Sequence, residues 1–304
     1  MRIGLTGGGA TVDRMVEQAK RAEDDGFTSL WYASAVAGDP LVAMAVAGHG
    51  TTTIELGTSV LQTYTCHPTL MANRAAATVS AMGRPGLTLG VGPSHQPVVE
   101  LMHGLDYSHA GRHTNEYVQV LAPLLAGEQV SFTGEDLRVN AQPPALPHGP
   151  VPVLVAALGP RLLRVAGEHA DGTILWMGNA RAIESHVAPR VRAAAAAAGR
   201  PAPRIVAGLP IAVHDDVAEA RAVAAQQFAM YGTLPNYQRI LAHGDAPGPA
   251  DAAIVGDEAS VGAQIEALFA SGATDVWAAP FAVGEDRKAS TARTRALLKE
   301  LAAA

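Results

Sequence analysis

Three short stretches bring together backbone freedom and side chains suited to chemistry. In "GVGPSHQP", Gly90 and Gly92 free the backbone, while Ser94, His95 and Gln96 supply a hydroxyl, an imidazole and an amide. An imidazole titrates near neutrality, so His95 is a candidate to pass a proton to a bound ring or its substrate. The plainer reading is a Gly/Pro turn carrying a solvated histidine. In "VAALGPRLL", a strand gives way at Gly159 to a helix with Pro160 at its first position. Free backbone N–H groups, close approach at Gly159 and the charge of Arg161 suit a phosphate, although any strand-to-helix turn can use Gly-Pro. In "IELGTSVLQTYTCHP", Ile54, Leu56, Val60 and Leu61 fit a buried strand, but Gly57, Thr58 and Ser59 break its pattern. The expectation is a bulge, permitted by Gly57 to Ser59.

Other reactive residues are weighed and set aside. His109 and His113 are four apart with Glu116 nearby, yet Gly111 lies between them and no third ligand follows, so they read as solvated or capping histidines rather than a metal face. Cys66 precedes His67, but adjacent side chains point apart and a nucleophile needs an oriented base, so a structural cysteine is expected. No metal site is expected. Carboxylates are scarce at the strand ends, which argues against a two-carboxylate hydrolase and against a hard-cation centre.

These residues need elements to position them. Short apolar runs alternate with helix-period segments along the chain, the pattern of repeated β-α units around a parallel sheet. The strands are "RIGLT", "SLWYAS", "IELGTSVL", "GLTLGVG", "VPVLVAAL", "GTILWM", "RIVAGLPIAV" and "TDVWAAPF". Eight is the number that closes a barrel, so the fold class is α/β, a (β/α)8 TIM barrel over 1–304 read as a single domain. A rim insertion is expected over about 93–150, with the helix "HTNEYVQVLAPLLAG" and the hairpin "QVSFTGEDLRV" turning at Gly134. One helix is predicted over "DVAEARAVAAQQFAMYG". A dinucleotide-binding sheet is disfavoured, because "GLTGGGA" has the wrong glycine spacing and the second strand ends in Ala33 and Ser34 rather than an acid.

Composition narrows the function classes. With 48% hydrophobic and 16% charged residues the chain can bury a large core. Its formal charge of −6, without a basic run, excludes the concentrated cationic field that nucleic acid needs, so a small-molecule substrate is the expected partner. One cysteine rules out an internal disulfide. No export signal and no membrane span are read, and the expectation is a cytoplasmic protein. Apolar faces on barrel helices predict a homodimer.

With the strands placed, the sequence resembles the luciferase-like monooxygenase superfamily, most closely its branch of oxidoreductases that use the deazaflavin coenzyme F420. The carriers are "AKRAEDDGFTSLWYAS", "IELGTSVL" followed by "HPTLMANRAAATVSAMGR", "LTLGVG", and "PVLVAALGPRLLRVAGEHADGTIL". The resemblance implies a cis peptide at the Ser59 to Val60 bond, behind the cofactor ring. It implies that Ala157, Leu158, Gly159 and Pro160 hold the cofactor phosphate, and that Gly92 and Ser94 border the ring. Many relatives end the second strand with an acid followed by histidine, where this chain has Ser34 and Ala35. Ser34 is kept as a cofactor contact, but alanine is no base, which puts sugar or alcohol oxidation by that arrangement in doubt. His95 aligns near a position where sugar-oxidising relatives carry a catalytic acid, and is taken as the proton donor.

The leading expectation is an F420-dependent oxidoreductase acting as a reductase on an activated C=C, C=N or carbonyl group. The alternatives are an FMN-dependent monooxygenase on the same fold and a non-catalytic deazaflavin- or flavin-binding protein.

Overall fold

The computed structural model describes residues 1–34 and 38–304. Eight parallel strands form the inner wall: β1 Ile3–Gly7, β2 Ser29–Tyr32, β3 Glu55–Thr58, β4 Leu87–Gly92, β5 Val153–Ala156, β6 Gly172–Trp176, β7 Arg204–Val213 and β8 Asp275–Pro280. Each pairs with the next, and β8 returns to β1 with Gly4 opposite Trp277, so the sheet closes. All eight correspond to the expected strands, and the architecture is a (β/α)8 barrel.

The helices outside the wall begin where the local chemistry starts them. Thr11 caps α1 (Val12–Asp24) by accepting from the Arg14 amide at 3.4 Å, and Met15, Ala19 and Ala22 face the sheet. Asp39 caps α2 (Pro40–His49) through the Leu41 amide at 3.0 Å, with Pro40 in the first turn. Next come α3 (Pro68–Met82), α4 (Ala110–Ala126) and α5 (Pro160–His169). The Glu23 carboxylate binds the chain just ahead of β3, accepting from the Thr52 and Ile54 amides at 2.9 Å each. Burial opposes its charge, but these amides prevail and hold its pKa down to about 2.

Inside the wall the barrel is filled in layers. At the N-terminal end of the strands, Arg204 bridges Glu55 at 2.8 Å and Asp275 at 2.7 Å, and Arg2 joins the same two carboxylates at 2.7 Å each. Above this polar plug lie Trp31, Leu154, Ile174, Val206 and Trp277, capped at the other end by Val60 and Trp176. Gly57 is a regular β3 residue, paired with Trp31 and Thr88. A Cβ there would stand 2.3 Å from the Trp31 ring. This corrects the expectation that Gly57 loosens the strand for a bulge: its missing side chain seats a tryptophan.

The chain departs from the expected elements in four further places. The helix expected over 216–232 is two, Val217–Gln227 and Ala229–Thr233, because the chain turns at Phe228, whose ring packs against Trp176 and Phe281. A short strand, Ile254–Gly256, lies parallel to the end of β7. Single π-helical turns occupy Val98–Met102 and Ile183–Val187. The rim hairpin pairs Val130–Thr133 with Arg138–Ala141 and turns at Gly134 as expected, its loop held by the Glu116 carboxylate on three backbone amides.

Candidate active site

The sequence-predicted residues gather along one arc of the barrel mouth, at the C-terminal ends of β2, β3, β4 and β5. These four strands are consecutive neighbours in the wall. Ser34 stands two residues beyond β2, half-buried. Ala35 lies outside the described residues. Next to Ser34 in the wall, the Ser59 amide donates to the Tyr32 carbonyl at 2.8 Å, which carries the β2 to β3 pairing one residue past the end of β3. The Ser59–Val60 peptide is cis. The chain then re-enters the sheet at Leu61 and Gln62, opposite Val91 and Gly92.

This bulge puts Val60 over the barrel interior, where it forms a small apolar floor. The wall around it is backbone rather than side chain. A Cβ on Gly90 would fall 2.0 Å from the Thr58 carbonyl oxygen, and one on Gly92 would fall 2.7 Å from the Ala156 Cβ and 3.1 Å from Val60 Cγ2. Glycine is required at both places for the floor to lie flat. The Ser59 Oγ is buried and has no hydrogen-bond partner among the described residues.

Beyond Gly92 the chain turns through Ser94, which holds a left-handed φ of 63° while its carbonyl accepts from the Tyr107 hydroxyl at 2.8 Å. That turn sets His95 at the rim. The imidazole is half-buried, its ring centroid 5.8 Å from that of Tyr237, and burial lowers its pKa below the ordinary 6.5. The neutral form is therefore the resting form at neutral pH, able to accept a proton or, once charged, to return it.

On the far side of Gly92, β5 leads into the turn of Ala157, Leu158 and Gly159. Ala157 is fully buried, Leu158 and Gly159 are half-buried, and Pro160 is exposed at the start of α5. Gly159 precedes the helix in an extended conformation, and a Cβ there would meet nothing within 4 Å. Open space thus lies beside first-turn amides that have no intrahelical acceptor, an arrangement that can receive an anionic oxygen.

Aromatic packing adds to this picture of the mouth. Trp176 closes β6, with ring centroids 4.9 Å from Trp277 and 5.9 Å from Tyr231. His113 is not the solvated or capping residue expected: its ring stacks on Tyr64 at 4.2 Å and its Nε2 is buried without a partner. Its position on α4, four residues beyond the exposed His109, gave no sign of this, because Tyr64 comes from the segment after the bulge. Cys66 is buried with its sulfur 3.7 Å from the Arg74 guanidinium, a structural setting. Among the described residues, no three His, Cys, Asp or Glu side chains converge as a metal site.

With this geometry in hand, comparison with known proteins places the chain. The profile of the luciferase-like monooxygenase family matches residues 2–288. The 5,10-methylenetetrahydromethanopterin reductase of Methanolobus tindarius is 29% identical over 188 residues, covering 62% of this chain and 57% of that protein. The F420-dependent hydroxymycolic acid dehydrogenase of Mycobacterium tuberculosis is 30% identical over 235 residues, covering 71% of this chain and 63% of that one. Each match spans less than two thirds of the relative's own length. Among solved structures, the oxygenating constituent of 3,6-diketocamphane monooxygenase from Pseudomonas putida, in complex with FMN, has the same fold with a TM-score of 0.73 at 16% identity, covering 99% of this chain and 97% of that one. A family match across nearly the whole chain, on a closed eight-stranded barrel, makes this protein a member of the luciferase-like monooxygenase family of enzymes.

Proposed function

We propose that this protein is a coenzyme F420-dependent oxidoreductase that transfers a hydride between the deazaflavin and a small organic substrate, acting as a reductase. The observation that carries the reading is the floor: Val60 packed on the barrel interior between Gly90 and Gly92, with His95 at its edge. An apolar side chain set between two glycines suits one face of a tricyclic ring. The F420-dependent relative in Mycobacterium tuberculosis supports the choice of coenzyme. When bound, the coenzyme supplies the hydride.

The chain's own residues supply the rest. Ser34, Ser59, Val60, Gly92 and Ser94 border the ring. Ala157, Leu158, Gly159 and Pro160, with the first turn of α5, hold the phosphate. His95 Nδ1 or Nε2 carries the proton that complements hydride arrival at the substrate. Partial burial of the imidazole holds its pKa below the ordinary histidine value, so that, once charged, it gives up its proton readily.

FMN with oxygen is the second reading, supported by the FMN complex on the same fold. Titration of the purified protein with F420 and with FMN, followed by ligand fluorescence, separates the two. Saturable F420 binding together with substrate-dependent oxidation of reduced F420 is the expected result. Preferential FMN binding overturns the coenzyme assignment, and tight binding without turnover across a broad panel of activated alkenes, imines and carbonyls overturns the enzyme assignment.

Two copies pair through α2 and α3 in this reading. Val42, Val46 and Leu70 are 57%, 48% and 53% exposed there, large apolar side chains that a second copy would cover.

A further inference from the structure

His186 stands in the π-helical turn Ile183–Val187 and is 2% exposed. Its Nε2 lies 2.9 Å from the carbonyl oxygen of Leu158, twenty-eight residues back in the chain. A carbonyl only accepts, so this ring is the Nε2–H tautomer and Nε2 donates. Its other nitrogen, Nδ1, is buried with no partner, which leaves no competing bond to rotate the ring. The ring also lies flat on His243, centroids 3.7 Å apart and planes 15° apart, and the Arg190 guanidinium donates to the His186 carbonyl at 2.9 Å.

The contact has a directional consequence. In a planar trans peptide the C=O of one residue and the N–H of the next point to opposite sides. Fixing the Leu158 oxygen on His186 therefore turns the Gly159 N–H the other way, out of the protein interior that holds His186. Gly159 has no side chain and open space beside it, so no side-chain contact at that residue restrains the peptide plane. Resting on the reading that a phosphate-bearing flavin or deazaflavin occupies this mouth, we infer that His186 is a positioning residue: its hydrogen bond to Leu158 aims the Gly159 amide at the cofactor phosphate. His243 acts as the flat support that holds the imidazole in place. Burial, together with the nearby His243 and Arg190, keeps His186 below the usual histidine pKa despite the favourable bond to Leu158, which preserves the neutral tautomer.

The test compares ligands with and without the phosphate. Dissociation constants for F420 and for its phosphate-free deazariboflavin fragment, or for FMN and riboflavin if FMN is the ligand, are measured by fluorescence. The proteins are wild type, His186→Leu, His186→Met and His186→Gln. Loss of one aimed hydrogen bond to a charged group predicts about a tenfold loss of affinity for the phosphorylated ligand in the Leu variant, and in the Met variant should Leu fail to fold. The phosphate-free ligand should bind within about threefold of wild type, and His186→Gln, which retains a donor, should recover most of the difference. Equal losses for both ligands, or none, would overturn the positioning role in favour of a purely structural histidine. If wild type itself does not prefer the phosphorylated ligand, the phosphate-turn reading fails first, and the role of His186 falls with it.

Discussion

His95 carries a prediction whose sign depends on its surroundings. Burial favours the uncharged imidazole, so the apparent pKa lies below 6.5. If the charged imidazole gives its proton in the reductive direction, reductive kcat/KM should fall as pH rises through that pKa, and the oxidative rate should rise over the same range. His95→Ala should remove this dependence and lower kcat by about a hundredfold or more, the usual contribution of a general acid. The dissociation constant of the cofactor should hold within about threefold, since the ring rests on Val60 and the glycines rather than on the imidazole. Unchanged turnover in the alanine variant would remove His95 from the chemistry.

Among the elements, the mouth separates glycines that the fold needs from one that a ligand needs. Gly57, Gly90 and Gly92 each face atoms closer than 3.0 Å to any added Cβ, so alanine there overpacks the wall at a cost of about 1–3 kcal/mol. Gly159 is different: its space is empty and its extended backbone suits any residue. Gly159→Ala should leave the melting temperature nearly unchanged while weakening a phosphate-bearing ligand by roughly tenfold, because the methyl group would stand where the anion approaches. A thermal shift assay beside a binding titration reads both effects; a large drop in melting temperature with intact binding would refute the assignment. The strands and most helices were legible because buried parallel strands read as apolar runs and their helices as 3.6-residue stripes. The break at Phe228 was not, because Phe228 continues a helical pattern and only Trp176 and Phe281, distant in sequence, turn it inward. The role of His186 is illegible for the same reason: its partner is a backbone carbonyl in another repeat, and no side-chain pattern marks a carbonyl. The setting of His113 is not legible in its helix because it depends on stacking with Tyr64, a residue of another segment.

For the molecule as a whole, the two ends of the barrel divide the work. The N-terminal end is closed by the Arg2, Glu55, Arg204 and Asp275 plug, where burial opposes the Asp275 charge but Arg204 holds its pKa below the usual aspartate value. The open end carries the bulge, the glycine turns and the imidazole. Outside the barrel, exposed Val42, Val46 and Leu70 predict a solution mass of two chains, and Leu70→Asp should shift it toward one while leaving the far-ultraviolet spectrum intact. A wild-type protein that stays single at micromolar concentration would contradict the pairing. The packing of the barrel interior also has an optical consequence. The chain's three tryptophans, Trp31, Trp176 and Trp277, all belong to the column beneath and beside Val60. Every photon of intrinsic tryptophan emission thus originates within one small volume against the proposed ring position, so the protein is its own label. An absorbing ring seated on Val60 should quench nearly all of that emission, whereas a ligand bound elsewhere on the surface would leave most of it lit.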